Sequence, residues 1–362
     1  MRVVMHLTDS LDRGGMERVA VNLANELAPM YRVHLCATRR GGPLSEEVDA
    51  HVHRLVLHRK HTLDAGELLR FSKILREQRV EILHAHGSSI FFAAAAAAWA
   101  RTGIHLLWHC HYGRFDVEKP SAWLYRHATR SAAGVITVNE PMAEWSRQQL
   151  RVPGDRVWYV PNFATAASGD TCAPELPGAS GRRIVCVANL RRQKDHVTLL
   201  LAIAALRDKI KDAHLLVVGG GTDVAYQAEL IAARKSLGLR DSVTFLGERR
   251  DAAAIVRACD VAVLSSVSEG LPLSLLEYGA AARPVVCTSV GQCPEVLGWG
   301  EAGILVPPGD PGALARALTD LLEKSYLRRH YGEALCRRVE RNYSKEAVLQ
   351  RICAIYDLVC SN

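Results

Sequence analysis

Short β-rich runs alternate with helical stretches along the whole chain. In the first half, the runs that predict strands cover residues 3–7, 33–37, 53–57, 82–85, 104–110, 134–138 and 157–160. Between them, apolar residues recur at helical spacing, which predicts helices at residues 16–28, 68–78, 123–132 and 141–150. This alternation is typical of a parallel sheet that helices cover on both faces.

The pattern breaks at residues 163–181, a stretch rich in Ala, Ser, Gly and Pro that indicates a linker. It then restarts, with strands predicted at residues 184–188, 214–218, 243–246, 261–264, 284–287 and 303–306. The helices of this half are predicted at residues 197–208, 226–237, 252–257, 273–282, 311–324 and 327–342.

Two α/β domains follow from this repetition, each a doubly wound, Rossmann-like sheet. We assign residues 1–165 to the first and 166–343 to the second, and we expect them to face each other across a cleft. The last segment, residues 344–362, carries an amphipathic helix. Packing back on the first domain is one placement for it, but periodicity alone does not locate it.

Composition and hydropathy favour a soluble globular protein. Of the 362 residues, 49% are apolar and 23% are charged. The amino terminus is too short and too soon polar for a signal peptide, and it fits a first strand instead. The longest apolar run, residues 90–100, is about half the length that a bilayer requires and predicts a buried helix. The sequence therefore predicts no membrane-spanning segment.

The cysteines and the net charge indicate where the protein is located and which partners it can bind. The ten cysteines are scattered without a Cys-x-x-Cys pair, so we expect reduced thiols and a cytoplasmic protein. The net charge of +7 fits anionic substrates or an acidic membrane surface, and equally plain solubility. Aromatic and basic residues do not interleave as they do on nucleic-acid platforms, which argues against a nucleic-acid partner.

The strongest local signal is the loop that begins at Ser265. It contains Glu269, and a helix that includes Glu277 opens near Leu273. The first amides of such a helix can hold a phosphate. Glu277 could accept hydrogen bonds from a ribose, and Glu269 could meet a transferred sugar or its departing diphosphate. From these residues alone, a surface loop with two solvated carboxylates is slightly favoured.

Two other loops follow predicted strands. Gly14 and Gly15 precede a helix, and paired glycines permit close approach to a ligand and positive φ angles. The loop at residues 189–196 carries Arg191, Arg192 and Lys194, which suit an electrostatic clamp on a diphosphate, although a solvated basic turn is the plainer interpretation.

Histidines end two strands of the first domain. The pairs are His84 with His86 and His109 with His111. An i, i+2 pair can bind a metal, but no third ligand has evident spacing, so we expect no metal site. A structural role is the common interpretation of such a histidine.

Together these segments resemble a known family. The Glu269–Glu277 spacing is similar to the Glu-x7-Glu motif of retaining glycosyltransferases of the GT-B fold, in particular family 4 (glycosyl transferases group 1). The other segments follow in the expected order over essentially the whole chain. The resemblance implies that Glu269 lies near the donor sugar and that Glu277 binds the ribose. It also places the backbones of Leu273 and Ser274 near the diphosphate.

The remaining site residues are also carried over by resemblance. Gly14 and Gly15 resemble the family's Gly-Gly-x-Glu loop between the donor phosphates and the acceptor, and Glu17 is left as a helix-start residue. A histidine after the first domain's strand would hydrogen-bond a sugar hydroxyl. His111, which Gly113 follows, is our assignment, and His109 is the competitor.

The basic loop resembles the family's Gly-Arg-Leu-x3-Lys-Asp segment, in which the Arg and Lys neutralise the leaving diphosphate. Lys194 matches the Lys, but Asn189 stands where Arg is usual. Either Arg191 or Arg192 supplies the missing charge, or stabilisation of the leaving group is weaker. The turns at residues 219–221 and at Gly247 resemble places where the family approaches the nucleotide. The loop at residues 290–295 also has a family counterpart, and we leave its role open.

The resemblance implies a retaining transfer from a UDP-, GDP- or ADP-sugar, without a cofactor or metal, to a sugar or lipid-linked acceptor. Glycolipid, lipopolysaccharide or exopolysaccharide synthesis is the expected setting. Before residue 165 the chain has 21 Lys and Arg against 16 Asp and Glu, a surplus of 5 that is compatible with peripheral docking at the inner face of the membrane. The alternatives are a GT-B epimerase or phosphorylase, and a nucleotide-sugar-binding protein without turnover.

Overall fold

The computed structural model describes residues 1–62, 64–111, 121–163 and 175–361. The contacts within it divide the chain into two compact units. Unit 1 comprises Met1–Asn162 together with Lys345–Asn362, and unit 2 comprises Phe163–Ser344. Each has its own parallel sheet and its own core.

The sheet of unit 1 has seven parallel strands. Their bounds are Val3–Ser10 (β1), Arg32–Arg40 (β2), His53–Val56 (β3), Ile82–His86 (β4), His105–Cys110 (β5), Gly134–Thr137 (β6) and Val157–Tyr159 (β7). The spatial order is β3-β2-β1-β4-β5-β6-β7, so the winding direction reverses between β1 and β4. This is the strand order of a Rossmann-like doubly wound sheet.

In the described part of unit 1, α-helices connect these strands at Gly15–Leu27 (α1), Ala65–Glu77 (α2), Ile90–Ala100 (α3), Ala122–Thr129 (α4) and Glu140–Gln148 (α5). Asp64 and Asn139 cap α2 and α5 by accepting a backbone N–H from the first turn. The alanine-rich helix α3 is only partly buried, since Trp99 at its end is 57% exposed. The helix predicted there is present with the predicted bounds, but the prediction that it is buried holds for only part of its residues.

Unit 2 repeats the same plan with six parallel strands. Their bounds are Arg183–Val187 (β8), His214–Val218 (β9), Val243–Gly247 (β10), Val261–Leu264 (β11), Val285–Thr288 (β12) and Ile304–Val306 (β13). The order β10-β9-β8-β11-β12-β13 reverses between β8 and β11. Buried aliphatic side chains of β8, β9 and β11 pack against those of the flanking helices to form the core of this unit.

The helices of unit 2 are His196–Arg207 (α6), Val224–Ser236 (α7), Ala252–Arg257 (α8), Leu273–Ala280 (α9), Cys293–Val296 (α10), Pro311–Glu323 (α11) and Ser325–Asn342 (α12). Asp195, Asp223 and Asp310 cap α6, α7 and α11. The last helix of the chain, Lys345–Ser361 (α13), belongs to unit 1. It buries Ile352, Tyr356 and their apolar neighbours.

The two Rossmann-like sheets agree with the predicted fold class. Every predicted strand is present, and most bounds differ by only one or two residues. The largest differences are at β1 and β2, which were predicted to end at residues 7 and 37 but continue to Ser10 and Arg40, because these two residues pair with each other. No helix among the described residues combines the length and hydropathy that a bilayer crossing requires.

Candidate functional site

The reversal of strand order fixes where a ligand can reach each sheet. In doubly wound sheets, the loops at the carboxyl ends of the two strands beside the reversal diverge and leave a crevice. In unit 2 these are the loops after β8 and β11. They contain the basic segment that ends in Lys194 and the segment that contains Glu269.

An ion pair joins these two loops. Lys194 Nζ lies 2.5 Å from Glu269 Oε1, and the two side chains are only 19% and 6% exposed. The hydroxyl of Ser266 donates to the same carboxylate oxygen at 2.6 Å. The prediction from the residues alone, a solvated surface carboxylate, is therefore wrong for Glu269. Both of these bonds reach Oε1, and among the described residues no side chain is bonded to Oε2.

Hydrogen bonds to backbone carbonyls hold the two loops together. The hydroxyl of Ser265 donates to the Lys194 carbonyl at 2.9 Å, and the amide of Val267 donates to the Gln193 carbonyl at 2.9 Å. The side-chain amide of Gln193 in turn donates to the carbonyl of Ser268 at 2.6 Å. The pair is thus preorganised, because neither loop is free to move its charge away without breaking these bonds.

Two glycines let neighbouring loops approach this site. A Cβ on Gly291 would lie 2.0 Å from the Glu269 carbonyl oxygen, and one on Gly219 would lie 2.2 Å from the Ala188 carbonyl oxygen. Both glycines also have positive φ, at 52° and 147°. Only glycine fits such positions without displacing the backbone.

The helix α9 begins at Leu273, four residues after Glu269. Its first residues are Leu273 and Ser274, its N-cap is Pro272, and no side chain caps it. The amides at this end have no acceptor within the helix and carry partial positive charge. Glu277 lies one turn further along and is partly buried, so it is neither deeply enclosed nor fully solvated.

The arginines of the basic loop differ from each other. Arg192 lies over the ring of Tyr226 at 5.0 Å and pairs with Glu229 at 2.9 Å, so its charge is already engaged. Arg191 is exposed, and its guanidinium has no ion-pair partner among the described residues. Asn189 is partly buried at the end of β8. Of the two replacements that the sequence left open for the usual Arg, the structure leaves Arg191 available.

The turns after β9 and β10 lie beside the loop after β8. The amide of Leu190 donates to the Gly220 carbonyl at 2.6 Å, and the amide of Gly219 donates to the Gly247 carbonyl at 2.9 Å. Gly247 has φ of 67°, and a Cβ there would meet nothing within 4 Å. Its role in the turn is therefore conformational rather than steric.

In unit 1, Gly14 and Gly15 lie where the chain passes from β1 into α1. Gly14 is the N-cap, with an extended φ of −123°, and Gly15 is not among the glycines with positive φ. Neither glycine therefore adopts the positive φ that glycine permits. A Cβ on Gly14 would collide with the carboxylate of Glu17, whereas one on Gly15 would meet nothing within 4 Å. Glu17 is in the first turn of α1.

The histidines of unit 1 form a cluster at the equivalent reversal, between β1, β4 and β5. His6 is in register with His84, and His86 is in register with His109, so the rings lie on one face of the sheet. The first four rings are at most 2% exposed, and His111, just beyond β5, is partly buried. We call His6, His84, His86, His109 and His111 the histidine cluster.

Hydrogen bonds link the cluster in two strings. In one, His111 Nε2 lies 3.0 Å from His86 Nδ1, and His86 Nε2 lies 3.0 Å from His6 Nδ1. In the other, His109 Nδ1 lies 3.1 Å from His84 Nε2, and His84 Nδ1 lies 2.6 Å from the hydroxyl of Tyr356 on α13. His109 is therefore enclosed in the strand, whereas His111 reaches the carboxyl edge.

Burial keeps these rings neutral. It lowers the pKa of His6 and of His111 to about 3. It also lowers the pKa values of His84, His86 and His109 well below the usual range, and the neighbouring imidazoles lower them further.

The sequence offered no third metal ligand for the His84–His86 pair, but the fold brings further histidines beside it. The ligand atoms of His6, His84 and His86 lie within 4.8 Å of one another, as do those of His86, His109 and His111.

Two earlier predictions lie partly outside the described residues. Gly113, which follows His111 in the family-like segment, and Cys172 are not among them. The nine described cysteines are all free thiols.

Comparison with known proteins identifies the family. The model for Glycosyltransferase Family 4 matches residues 13–166, and that for Glycosyl transferases group 1 matches residues 181–324. The chain belongs to the GT-B glycosyltransferases. Its two parallel sheets and the two consecutive family matches cover both units.

Individual relatives are distant from this glycosyltransferase. The phosphatidyl-myo-inositol mannosyltransferase of Mycobacterium leprae is 30% identical over 235 residues, which are 63% of this chain and 60% of that protein. The alpha-D-kanosaminyltransferase of Streptomyces kanamyceticus is 27% identical over 80% of each chain. Anabaena HepE, solved in complex with UDP-glucose, shares the fold with a TM-score of 0.83 at 18% identity, over 100% of both chains.

Sequence reasoning missed several residues around the sites of this glycosyltransferase. Ser266, which holds the Glu269 carboxylate, gave no signal because serines are ordinary in loops. His6 could have been found, since it stands alone on the strand that the fold places next to β4. Tyr356 could not, because its contact spans 272 positions of sequence.

Proposed function

We propose that this protein transfers a sugar from a nucleoside diphosphate to a hydroxyl acceptor, with retention of configuration at the anomeric carbon. The observation that carries the proposal is the Lys194–Glu269 pair at the strand-order reversal of unit 2, where Glu269 lies four residues before the first residue of α9, a helix that no side chain caps. A preformed cation beside free helix amides is suited to a pyrophosphate, which carries several negative charges.

Each site residue then has a chemical role in our proposal. Lys194, Arg191 and the amides of Leu273 and Ser274 stabilise the leaving diphosphate. Glu277 accepts hydrogen bonds from the ribose, and Glu269 orients the transferred sugar. The bond from the anomeric carbon to the diphosphate oxygen breaks, and a bond to the acceptor oxygen forms. The acceptor's proton passes to the departing diphosphate.

Unit 1 contributes two elements to this proposal. His111 donates a hydrogen bond to an oxygen of the transferred sugar, and the amide-rich turn at Gly14 and Gly15 meets the donor phosphates. No metal or cofactor is needed in this scheme, because Lys194 and the helix amides supply the positive charge. The nucleoside diphosphate of the donor is UDP, GDP or ADP. A UDP-sugar is the first to test, since HepE was solved with UDP-glucose.

We further propose that the acceptor is linked to a lipid and that unit 1 docks on an anionic membrane surface. A cavity of about 500 Å³ is lined by α4 and by the segment before β7. Four arginines line it, and none of them has an ion-pair partner among the described residues; they are Arg126, Arg130, Arg151 and Arg156. Trp123 beside them is 72% exposed.

This combination fits an acidic lipid surface. Each arginine near such a surface contributes about 1 kcal/mol, and an exposed indole is stable at the headgroup level. Sedimentation with vesicles of phosphatidylcholine, with and without phosphatidylglycerol, tests the proposal. Arg126→Glu/Arg130→Glu should weaken binding to the anionic vesicles at least tenfold. Arg316→Glu/Arg329→Glu, the same charge change on exposed positions of unit 2, should not. Equal loss in both variants would argue for net charge alone.

The activity itself is tested by incubation of the protein with UDP-, GDP- and ADP-sugars and with lipid-linked or saccharide acceptors. We expect release of one nucleoside diphosphate only when an acceptor is supplied, and an NMR coupling constant in the product that matches the donor's anomeric configuration. Conversion of the donor sugar to an epimer without an acceptor would favour an epimerase, and cleavage that depends on inorganic phosphate would favour a phosphorylase. Binding of a donor without any turnover would favour a nucleotide-sugar-binding protein, an outcome to which Asn189 lends some weight.

A further inference from the structure

Protons in the histidine cluster can be counted. In the string His111–His86–His6, all three rings are neutral because burial lowers their pKa values, so each ring carries one N–H. The string has two nitrogen–nitrogen contacts, both of 3.0 Å, and each contact uses one hydrogen. Three hydrogens and two contacts leave one N–H, which must lie at one end of the string.

The two ends are not equivalent. At one end, His6 Nε2 is buried and has no hydrogen-bond partner among the described residues. At the other end is Nδ1 of His111, a residue that is only partly buried. A buried N–H without an acceptor is rarer and costlier than a bare ring nitrogen. The free N–H therefore belongs at His111.

We propose that His6 and His86 are positioning residues that fix His111 in its Nδ1–H tautomer. His6 Nδ1–H donates to His86 Nε2, and His86 Nδ1–H donates to His111 Nε2. His111 then presents a neutral N–H donor to a ligand oxygen, such as a hydroxyl or a ring oxygen. That this oxygen belongs to the transferred sugar rests on the proposed function, whereas the tautomer itself does not.

The ring geometry favours hydrogen bonds over a shared ion. The rings of His84 and His86 are parallel within 2°, with centroids 4.7 Å apart. Because imidazole lone pairs lie in the ring plane, two parallel rings do not direct them at one point. The contacts of 3.0–3.1 Å are the usual length of a hydrogen bond between nitrogens.

A neutral donor has a functional consequence. An imidazolium at this position would attract anions, whereas a neutral N–H suits an uncharged oxygen acceptor. With a pKa of about 3, His111 keeps this state throughout the range from pH 5 to pH 9. The recognition of that oxygen should thus be independent of pH over this range.

Long-range ¹H–¹⁵N NMR of the full chain, labelled at the histidine ring nitrogens, tests the proposal without any substrate. The spectra of neutral imidazoles distinguish Nδ1–H from Nε2–H tautomers. We expect His111, assigned by the loss of its signals in His111→Gln, to show the Nδ1–H pattern unchanged between pH 5 and pH 9. An Nε2–H pattern, or an imidazolium within this range, would overturn the proposal.

Two substitutions sharpen the test. His86→Leu removes the donor to His111 Nε2 and should convert His111 to the Nε2–H form or to a mixture. His86→Asn places an amide near the position of Nδ1 and should retain the Nδ1–H form. His34→Leu is the matched control, because His34 is also buried, at 7% exposure, but stacks on His53 outside both strings. An unchanged His111 pattern in His86→Leu would show that the string does not set the tautomer.

Metal analysis of the purified wild type completes the experiment. We expect no stoichiometric divalent metal and intact N–H signals before any chelator is added. A bound metal whose removal restores those signals would replace the hydrogen-bond account.

In an active preparation, His86→Leu should lower kcat/KM about 3- to 10-fold, and His86→Asn should recover most of it. Absence of transferase activity in the wild type would count against the proposed function but not against the proposed tautomer of His111.

Discussion

The two units place different chemistry at the same point of the same topology. In unit 1, the reversal between β1 and β4 is filled with neutral imidazoles. In unit 2, the reversal between β8 and β11 carries the Lys194–Glu269 ion pair. The sheet supplies the location in both units, and the loop and strand-end residues decide what can be bound there.

The difference follows from what surrounds each group. Histidines tolerate burial because they can lose their charge, and in unit 1 they satisfy one another through N–H···N bonds. Lys194 and Glu269 remain at the edge of the crevice, where each compensates the other's charge and Ser266 adds a third bond. In our proposal, the histidine cluster of unit 1 therefore meets uncharged sugar oxygens, and the ion pair of unit 2 meets an anionic diphosphate.

The largest effect should come from acid. The folded-state pKa values of the histidine cluster lie below the unfolded value of 6.5, so the unfolded state binds more protons below that pH. The stabilisation is complete above about pH 6.5 and is lost as the pH falls towards 3. Each histidine contributes up to about 1.4 kcal/mol per pH unit to this loss.

Hydrogen exchange followed by mass spectrometry can assign this loss to a unit. His34 adds to the effect in unit 1, since burial lowers its pKa to about 4. Unit 2 has fewer such groups, mainly His196, with a pKa lowered to about 4. Peptides of β1, β4 and β5 should therefore lose protection at a higher pH than peptides of β8 and β11. The reverse order would refute the comparison.

The next effect concerns the ion pair. Lys194→Met leaves the Glu269 carboxylate 6% exposed and without its cation, which should cost about 3–5 kcal/mol of unfolding free energy. Lys194→Met/Glu269→Leu should recover most of that loss. Denaturant titration measures both, with Lys209→Met, at an exposed position, as the control. A cost below about 1 kcal/mol, as for surface pairs, would mean that the pair is effectively solvated.

A smaller effect separates the glycine turns of the two units. Gly219→Ala should cost about 1–3 kcal/mol, because φ is 147° and the new Cβ would lie 2.2 Å from a backbone oxygen. Gly15→Ala should change stability by less than about 0.5 kcal/mol, since nothing lies within 4 Å. If Gly15 nonetheless meets a ligand, its variant should weaken donor binding while the unfolding midpoint stays constant.

The smallest expected effect distinguishes the two arginines of the basic loop. Arg191→Ala should weaken donor binding about tenfold, as for the loss of one charge-assisted hydrogen bond. Arg192→Ala should change it less than about twofold, because Arg192 is engaged with Glu229. Calorimetric titration with the preferred donor measures both. A larger effect for Arg192 would assign the compensating charge for Asn189 to that residue.

The sheets could be predicted from the sequence because their signals are local. Strands β9 and β11 and helices α3 and α8 have the predicted bounds, since each is a continuous apolar or periodic run between clear breaks. The helix α10 was missed because four residues are too few to display a period. The polar end of β1 was missed because pairing with β2, rather than hydropathy, extends that strand.

The sequence allowed the site residues to be predicted, but not their burial or their contacts. The loops containing Glu269, Lys194 and His111 were identified, whereas the burial of Glu269 and the histidine strings were not. Those features depend on strand register and on contacts between distant segments, such as His84 with Tyr356. The tautomer of His111 needs the complete set of nitrogen contacts, which no spacing in the sequence contains.

The central claim is that the loops after β8 and β11 of unit 2 bind the diphosphate of a sugar nucleotide. Thermal unfolding of the wild type and of Lys194→Met, each with saturating UDP-, GDP- and ADP-sugars, tests it most directly. A ligand at 100 times its Kd stabilises the folded state by about 2.7 kcal/mol. We predict that one donor class raises the melting temperature of the wild type and that Lys194→Met largely abolishes the shift. No shift with any donor, or an equal shift in the variant, would contradict the account.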